Sequence, residues 1–243
     1  MSWAGFKAAD AYVGTRLVAW NGPAGNWCSP ADGLEDAVEQ LGQRMKAERA
    51  WMRRPVRLWW SGGLCRPYLL RRPEHVAGEQ ELAAVAKAMA AQMTGLVGPC
   101  RVWMEETTTA AERVVVAVEE TTWLRCTATV EGAGWKLASA GPWWAEVLHT
   151  ARARKNAEVV GIQDCDSLTV FAGNTQSFDL ATTYAPIADE ASAEAVWRRA
   201  VSMHLSAGAT VSGASRAQLN AGVTTSTTLN RKARFDKWVE FLA

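Results

Sequence analysis

Apolar positions recur along the chain in two rhythms. Leu34, Val38, Leu41 and Met45 stand three or four residues apart and form one stripe, which predicts a helix within 30–50. Asp32, Glu35, Asp36 and Glu39 crowd its first half, and Arg44, Lys46 and Arg49 its second, an order that suits the helix dipole. Ser29 and Pro30 read as an N-cap followed by a first-turn proline. Leu82, Val85, Ala86, Met89 and Met93 predict a second helix over 79–93, stopped by Gly95, Gly98 and Pro99. Ala191, Ala195, Val196, Val201 and Leu205 mark the packing side of a third, over 188–205, with Trp197 near one edge. Pro142 opens a further helix through Trp144, Val147, Leu148 and Ala151.

The other rhythm is that of strands. Tyr12–Trp20 reads as one strand, and Asn21–Ser29, with Gly22, Pro23 and Gly25, as turn chemistry. Val56–Ser61 is a strand that Gly62 and Gly63 turn back into Pro67–Leu70. Arg101–Met104 is a short strand. Arg113–Val118 is apolar for five consecutive residues, so it is expected to be buried on both faces of a sheet that helices cover. Thr121–Val130 fits helix or strand, and Trp135–Ala138 follows the turn at Gly132–Gly134. Ser167–Phe171 is a strand, and Gly173 and Asn174 turn it into Gln176–Leu180. Ser206–Thr228, rich in Ser, Thr, Ala and Gly, reads as a surface segment or linker. The order is mixed α/β, with hairpins and crossovers. Glu105–Glu112 (EETTTAAE) breaks the pattern and suggests units at 1–108 and 109–205, followed by a tail at 206–243.

Composition narrows the class. Of 243 residues, 49% are hydrophobic and 21% charged, which excludes wholesale disorder. A net charge of +1 gives no global drive toward nucleic acid. The five cysteines form no CxxC pair, so a reducing compartment is expected. Residues 1–14 carry Lys7 and Asp10 and do not read as a signal peptide, and no stretch of 18 apolar residues occurs. Tryptophan is frequent, at 13 residues, with adjacent pairs at Trp59–Trp60 and Trp143–Trp144. In a strand one member of a pair faces in and the other out, so some indoles are expected at the surface as docking anchors.

Candidate chemistry is sparse. His75, His149 and His204 have no metal-ligand spacing, and no HExxH, EF-hand, GxGxxG, Walker A or GxSxG pattern occurs. Ser61, Gly62 and Gly63 have the flexibility of an anion loop, but without a following lysine they read as a tight turn. Asp164 and Asp166, flanked by Cys165 and Ser167, can share a cation, contact phosphate or orient water, or simply build a turn. Arg44, Lys46, Arg49, Arg53, Arg54 and Arg57, with Trp51, Trp59 and Trp60 nearby, suggest a nucleic-acid surface or a solvated helix face.

Val159–Thr175 (VVGIQDCDSLTVFAGNT) gives a buried strand, an acidic turn and a hairpin, with a long helix after it. This order resembles the second half of actin-like ATPase folds. It is closer to the actin-like cytoplasmic parts of type II secretion L components and type IV pilus assembly-platform proteins. The resemblance covers about residues 10–205 and implies a degenerate two-subdomain, RNase H-like α/β fold. In actin-like ATPases an acidic, glycine-rich hairpin near the amino terminus cradles phosphate. Here Tyr12–Asn21 has Gly14 but no strand carboxylate. The second phosphate loop follows its Asp with Gly, whereas Cys165 follows Asp164 and Ser167 follows Asp166.

The resemblance therefore implies a non-enzymatic scaffold with no catalytic residue and no cofactor. It would dock a secretion or pilus assembly ATPase to inner-membrane platform proteins, with a homodimer compatible and nucleic acid not the expected partner. The protein-binding candidates are Trp59, Trp60, Trp197, Arg53 and Arg54. QLNAG at 218–222 and the basic-aromatic stretch after it resemble the end of such a cytoplasmic region. Arg231, Lys232, Arg234, Lys237 and Trp238 would lie against the anionic leaflet, placing the chain in the cytoplasm, peripheral to or tethered at the inner membrane. The alternatives are an actin-like nucleotide-binding ATPase using Asp164 or Asp166, and a nucleic-acid adaptor using Arg53, Arg54 and Arg57.

Overall fold

The computed structural model describes residues 8–48, 54–105, 112–148, 159–173, 178–206, 214–218 and 238–240. The first sheet starts with an antiparallel meander of β1 (Ala9–Val13), β2 (Leu17–Gly22) and β3 (Gly25–Pro30). Helix α1 (Leu34–Ala47) crosses over, and β4 (Pro55–Trp60) returns parallel to β1. An inserted unit follows: β5 (Cys65–Arg71), α2 (Glu79–Thr94), β6 (Cys100–Glu105) and β7 (Glu112–Glu119). Helix α3 (Glu120–Gly132) leads back to β8 (Lys136–Pro142), which pairs parallel with β4. Residues 143–148 are helical and are called α4.

The second sheet repeats the opening motif. β9 (Val159–Gln163), β10 (Leu168–Gly173) and β11 (Phe178–Tyr184) form an antiparallel meander. Helix α5 (Glu190–Ser206) crosses over, and β12 (Ala214–Gln218) lies parallel to β9. The sheet orders are β3-β2-β1-β4-β8 and β11-β10-β9-β12, so the meander–helix–parallel-strand unit occurs twice. The inserted sheet has the order β13-β6-β7-β5, with β13 (Trp238–Glu240) antiparallel to β6.

The local choices follow from sequence. In α1 the expected stripe is buried at Val38, Leu41 and Met45, with Glu35 and Asp36 in the first turn and Arg44 and Lys46 in the last. Helix α2 ends on Gly95, whose left-handed φ of 69° a side chain would resist. Strand β7 is covered on both faces, as its apolar run predicts. Val114, Val116 and Val118 enter the main core, while Val115 and Ala117 face the cluster under α2. Phe171 and Ala181 of the second sheet belong to the same main core as Trp60, Trp103 and Trp144, so apolar burial runs across both repeats.

Several expectations change. Tyr12–Trp20 is two strands, not one, because the chain reverses at 14–16. The turn residues Gly14, Thr15 and exposed Arg16 are only three long and are flanked by buried residues on both sides, so the two strands read as one apolar run. Most of Asn21–Ser29 is strand, forming the β2–β3 hairpin. Ser29 and Pro30 close β3 and do not cap α1, whose N-cap is Gly33. The ambiguous segment is helix α3. The boundary expected near 108 falls between β6 and β7, which pair, and β8 from beyond it joins the first sheet. The change of sheet therefore comes between β8 and β9. The segment read as a linker supplies β12, which completes the second sheet.

Candidate functional site at the junction of the hairpin turns

Each repeat presents a hairpin turn after its first strand, and the two turns meet. The turn after β9 is closed by the Asp164 amide donating to the Ser167 carbonyl at 2.8 Å. It faces the turn after β1 and the tight turn at Ser61–Leu64, which joins β4 to β5. Asp164 Oδ1 accepts the Tyr12 hydroxyl at 2.9 Å, and its Oδ2 accepts the Gly62 amide at 2.8 Å. Asp166 Oδ2 accepts three donors: the Thr15 amide at 2.8 Å, the Thr15 hydroxyl at 2.7 Å and the Ser61 hydroxyl at 3.0 Å.

Two glycines permit this approach. A Cβ at Gly14 would stand 2.6 Å from Cys165 Sγ, and one at Gly62 would stand 2.4 Å from Thr169 Oγ1. Only a hydrogen fits at either place. Arg16 reaches over the second turn to the carbonyls of Ile187, at 3.3 Å, and Ala188.

Both carboxyl groups are removed from water, Asp164 at 4% exposure and Asp166 at 2%. Burial, and then the neighbouring Asp166, push the Asp164 carboxyl up to about 8, against the opposing pull of the Gly62 amide and the Tyr12 hydroxyl. Burial, and then Asp164, raise the Tyr12 hydroxyl well above its ordinary value. The Cys165 thiol, 3.4 Å from Tyr12, is pushed up to about 12 by burial and then by Asp166. A thiol held protonated is a poor nucleophile.

The donor set is that of an anion cradle: two backbone amides, of Thr15 and Gly62, and three hydroxyls, of Tyr12, Thr15 and Ser61, converging from β1 and two turns. The chain's own carboxyl groups fill it. The Ser61–Gly63 segment is thus the tight turn the sequence suggested, and its Gly62 amide does hold a carboxyl oxygen, that of Asp164. Among the described residues, no group of three His, Cys, Asp or Glu side chains is placed to hold a metal ion.

The remaining candidates are not brought to this junction as a surface. Trp59 and Trp60 are both interior, at 5% and 0% exposure, because both faces of the first sheet are covered. Trp60 packs with Trp103 and Trp123, and Trp59 with Tyr12 and Leu17 on the opposite face. Trp197 is half-buried against Gly161, where a Cβ would stand 2.7 Å from its ring. Arg57 pairs with Asp10, which also accepts the Trp59 indole N–H at 3.0 Å, and Arg44 pairs with Glu48. The backbone of Arg54 accepts the Lys136 amide at 3.0 Å. Arg53, Arg231, Lys232, Arg234 and Lys237 lie outside the described residues, and the backbone of Trp238 pairs with Glu105 in β13. A separate groove of about 500 Å³ runs between α1 and α3, lined by Val38, Gly42, Gln43, Lys46, Arg125 and Thr129 among others.

Asp164 and Asp166 stand out in the sequence as local chemistry, whereas their partners do not. Tyr12 and Thr15 lie about 150 positions away and match no motif. The one legible signal was the Ser61–Gly63 turn.

No family model and no curated protein matches the sequence. Solved structures do. A protein of Bacteroides thetaiotaomicron, described as having an actin-like ATPase fold and unknown function, aligns with a TM-score of 0.56 at 8% identity, over 90% of this chain and 85% of that one. This chain has the actin-like ATPase fold. Two further neighbours share it. The cytoplasmic domain of EpsL, an inner-membrane component of the Vibrio cholerae type II secretion system, gives a TM-score of 0.53 at 13% identity, over 87% and 82% of the two chains. A chain of the PilM–PilN type IV pilus biogenesis complex gives 0.51 at 14% identity, over 83% and 74%. On this fold β1 and the turn after it are bonded to the turn after β9 through Tyr12–Asp164 and Thr15–Asp166.

Proposed function

We propose that this chain is a non-enzymatic scaffold on the cytoplasmic side of an inner-membrane secretion or type IV pilus assembly platform. It docks an assembly ATPase to membrane components. The observation that carries this reading is the occupied cradle: Asp164 and Asp166 take the amides and hydroxyls that a phosphate would need. A triphosphate could enter only by displacing two buried carboxyl groups and parting the repeats. What such a fold retains is its surface.

The likeness to the EpsL cytoplasmic domain and to the PilM–PilN complex supports the platform as the setting. The reading takes the basic stretch at Arg231, Lys232, Arg234 and Lys237 as the membrane-proximal end. Among the described residues no helix is long and apolar enough to cross a membrane. In this reading, association with the membrane runs through partners or the basic stretch. Trp197 and Arg54 remain candidates for the docking face, while the burial of Trp59 and Trp60 makes them its support.

The test is a titration of the folded chain with the assembly ATPase and with the platform proteins of its own organism's secretion and pilus systems. The reading expects saturable binding to at least one, with a dissociation constant of about 1 μM or tighter, worth about 8 kcal/mol. Absence of binding to all of them at tens-of-micromolar concentration would contradict it.

A further inference from the structure

Side-chain hydrogen bonds join the two repeats at one node, and that node touches all three sheets. Thr15 follows β1 of the first sheet. Ser61 and Gly62 form the turn by which β4 of the first sheet becomes β5 of the inserted sheet, with the Leu64 and Cys65 amides closing on the Ser61 carbonyl at 3.2 and 2.9 Å. Asp164 and Asp166 turn β9 into β10 of the second sheet. The carboxyl group of Asp166 therefore joins the first sheet directly, through Thr15, and the root of the inserted sheet, through Ser61.

The same turn is tied to the start of α5. The Ile187 amide donates to the Asp166 carbonyl at 2.8 Å, and Arg16 holds the carbonyls of Ile187 and Ala188 from the other side. Two residues on, Asp189 accepts the Ser192 amide at 2.8 Å in the first turn of α5, and Gln163 donates to Glu190 at 2.9 Å. The repeats also meet through apolar contacts, such as Trp144 against Phe171 at 5.0 Å between ring centroids. Apolar contact is non-directional and tolerates sliding. Hydrogen bonds with fixed geometry do not.

We propose that this node is a latch: the carboxyl group of Asp166, seated on Thr15 and Ser61, locks the orientation of the three sheets and holds the start of α5 in place. Unseating it frees the turn after β1, the Ser61–Leu64 turn and residues 187–193 together, along with the β9–β10 turn that carries Asp166. The latch is independent of whether the chain binds an assembly ATPase, since it depends only on contacts inside the fold.

Hydrogen exchange followed by mass spectrometry on the full chain tests it, comparing the parent with Asp166→Ala. Exchange is expected to rise about tenfold or more in three separate segments, 12–17, 61–65 and 187–193. The helical segments 34–47 and 79–94 should keep parent rates. If Asp166→Ala does not fold, Thr15→Ala and Ser61→Ala each remove one hydroxyl donor and leave the carboxylate. Their combination is expected to give the same three-segment pattern at smaller amplitude. A rise confined to the segment carrying the substitution, or spread evenly over the molecule, would overturn the proposal. So would parent-like exchange at 187–193.

Discussion

Thr15 donates twice to the carboxylate of Asp166, from its amide at 2.8 Å and from its hydroxyl at 2.7 Å, and the two residues belong to different repeats of the fold. Both bonds are short, and the Asp166 side chain that accepts them is buried, with Thr15 half-buried beside it. The turn after β1 thus faces its structural counterpart, the turn after β9.

The junction constrains what can stand at its glycines. Gly62→Ala would put a Cβ 2.4 Å from Thr169 Oγ1 and 2.9 Å from Ser167 Oγ, both on buried residues. We expect a loss of about 1–3 kcal/mol, in the range of overpacked cores. Gly132, at the end of α3, has nothing within 4 Å of its added Cβ. Gly132→Ala is expected to be neutral or to stabilise by up to about 1 kcal/mol. Urea denaturation of the two variants checks the contrast.

The raised Asp164 carboxyl makes stability depend on pH. Its value of about 8 lies above the ordinary carboxylate value of 3.8, so the folded chain keeps a proton that the unfolded chain has lost. The contribution of this group is fully present below the ordinary value and falls as pH rises to about 8, above which it is level. Tyr12 and Cys165, both shifted upward, stay protonated across that window. Asp164→Asn removes the titrating group, and the variant is expected to lose this descending component. Denaturation midpoints of parent and variant at several pH values between 5 and 9 measure the difference.

Trp144 ties the first repeat to the second by packing on Phe171, and its indole N–H donates to the Cys65 carbonyl at 2.9 Å. Trp144→Phe keeps most of the volume and strands a buried acceptor, at a cost of about 1–3 kcal/mol. Trp144→Ala adds a cavity and is expected to cost about 3–5 kcal/mol. Thermal melting should rank parent, Phe and Ala in that order.

How much of this was legible follows from the physics of each segment. Helices α1 and α2 show in sequence because each has one buried face, which imposes a three-to-four spacing on its apolar residues. Helix α5 shows as a helix, but its packing side is centred on Ala193, Val196, Trp197 and Ala200, while Ala191 and Ala195 of the expected stripe are exposed, because small alanines on several sides leave the face ambiguous. Strand β7 shows because both of its faces are buried. The β1–β2 hairpin does not, since Tyr12 and Val13 before the turn and Leu17 and Val18 after it are all buried. β12 does not, because its polar sequence ASRAQ carries no strand pattern, and its place is set by pairing with β9. The alternation rule misled at Trp59 and Trp60 because it assumes one wet face, and this sheet has none there. At the site, the aspartates and the glycine turn were visible as local chemistry. Their pairing with Tyr12 and Thr15 depends on how the two repeats meet, which no local pattern encodes.

The central claim is that the cradle is filled by the chain itself, and Mg-ATP tests it most directly. A ligand at a hundred times its dissociation constant stabilises the native state by about 2.7 kcal/mol, and for a chain of this size that is a melting shift of roughly 5–10 °C. The parent chain is expected to show no shift at millimolar Mg-ATP and no heat of binding by calorimetry. A saturable shift of several degrees, abolished by Gly62→Ala, would contradict it.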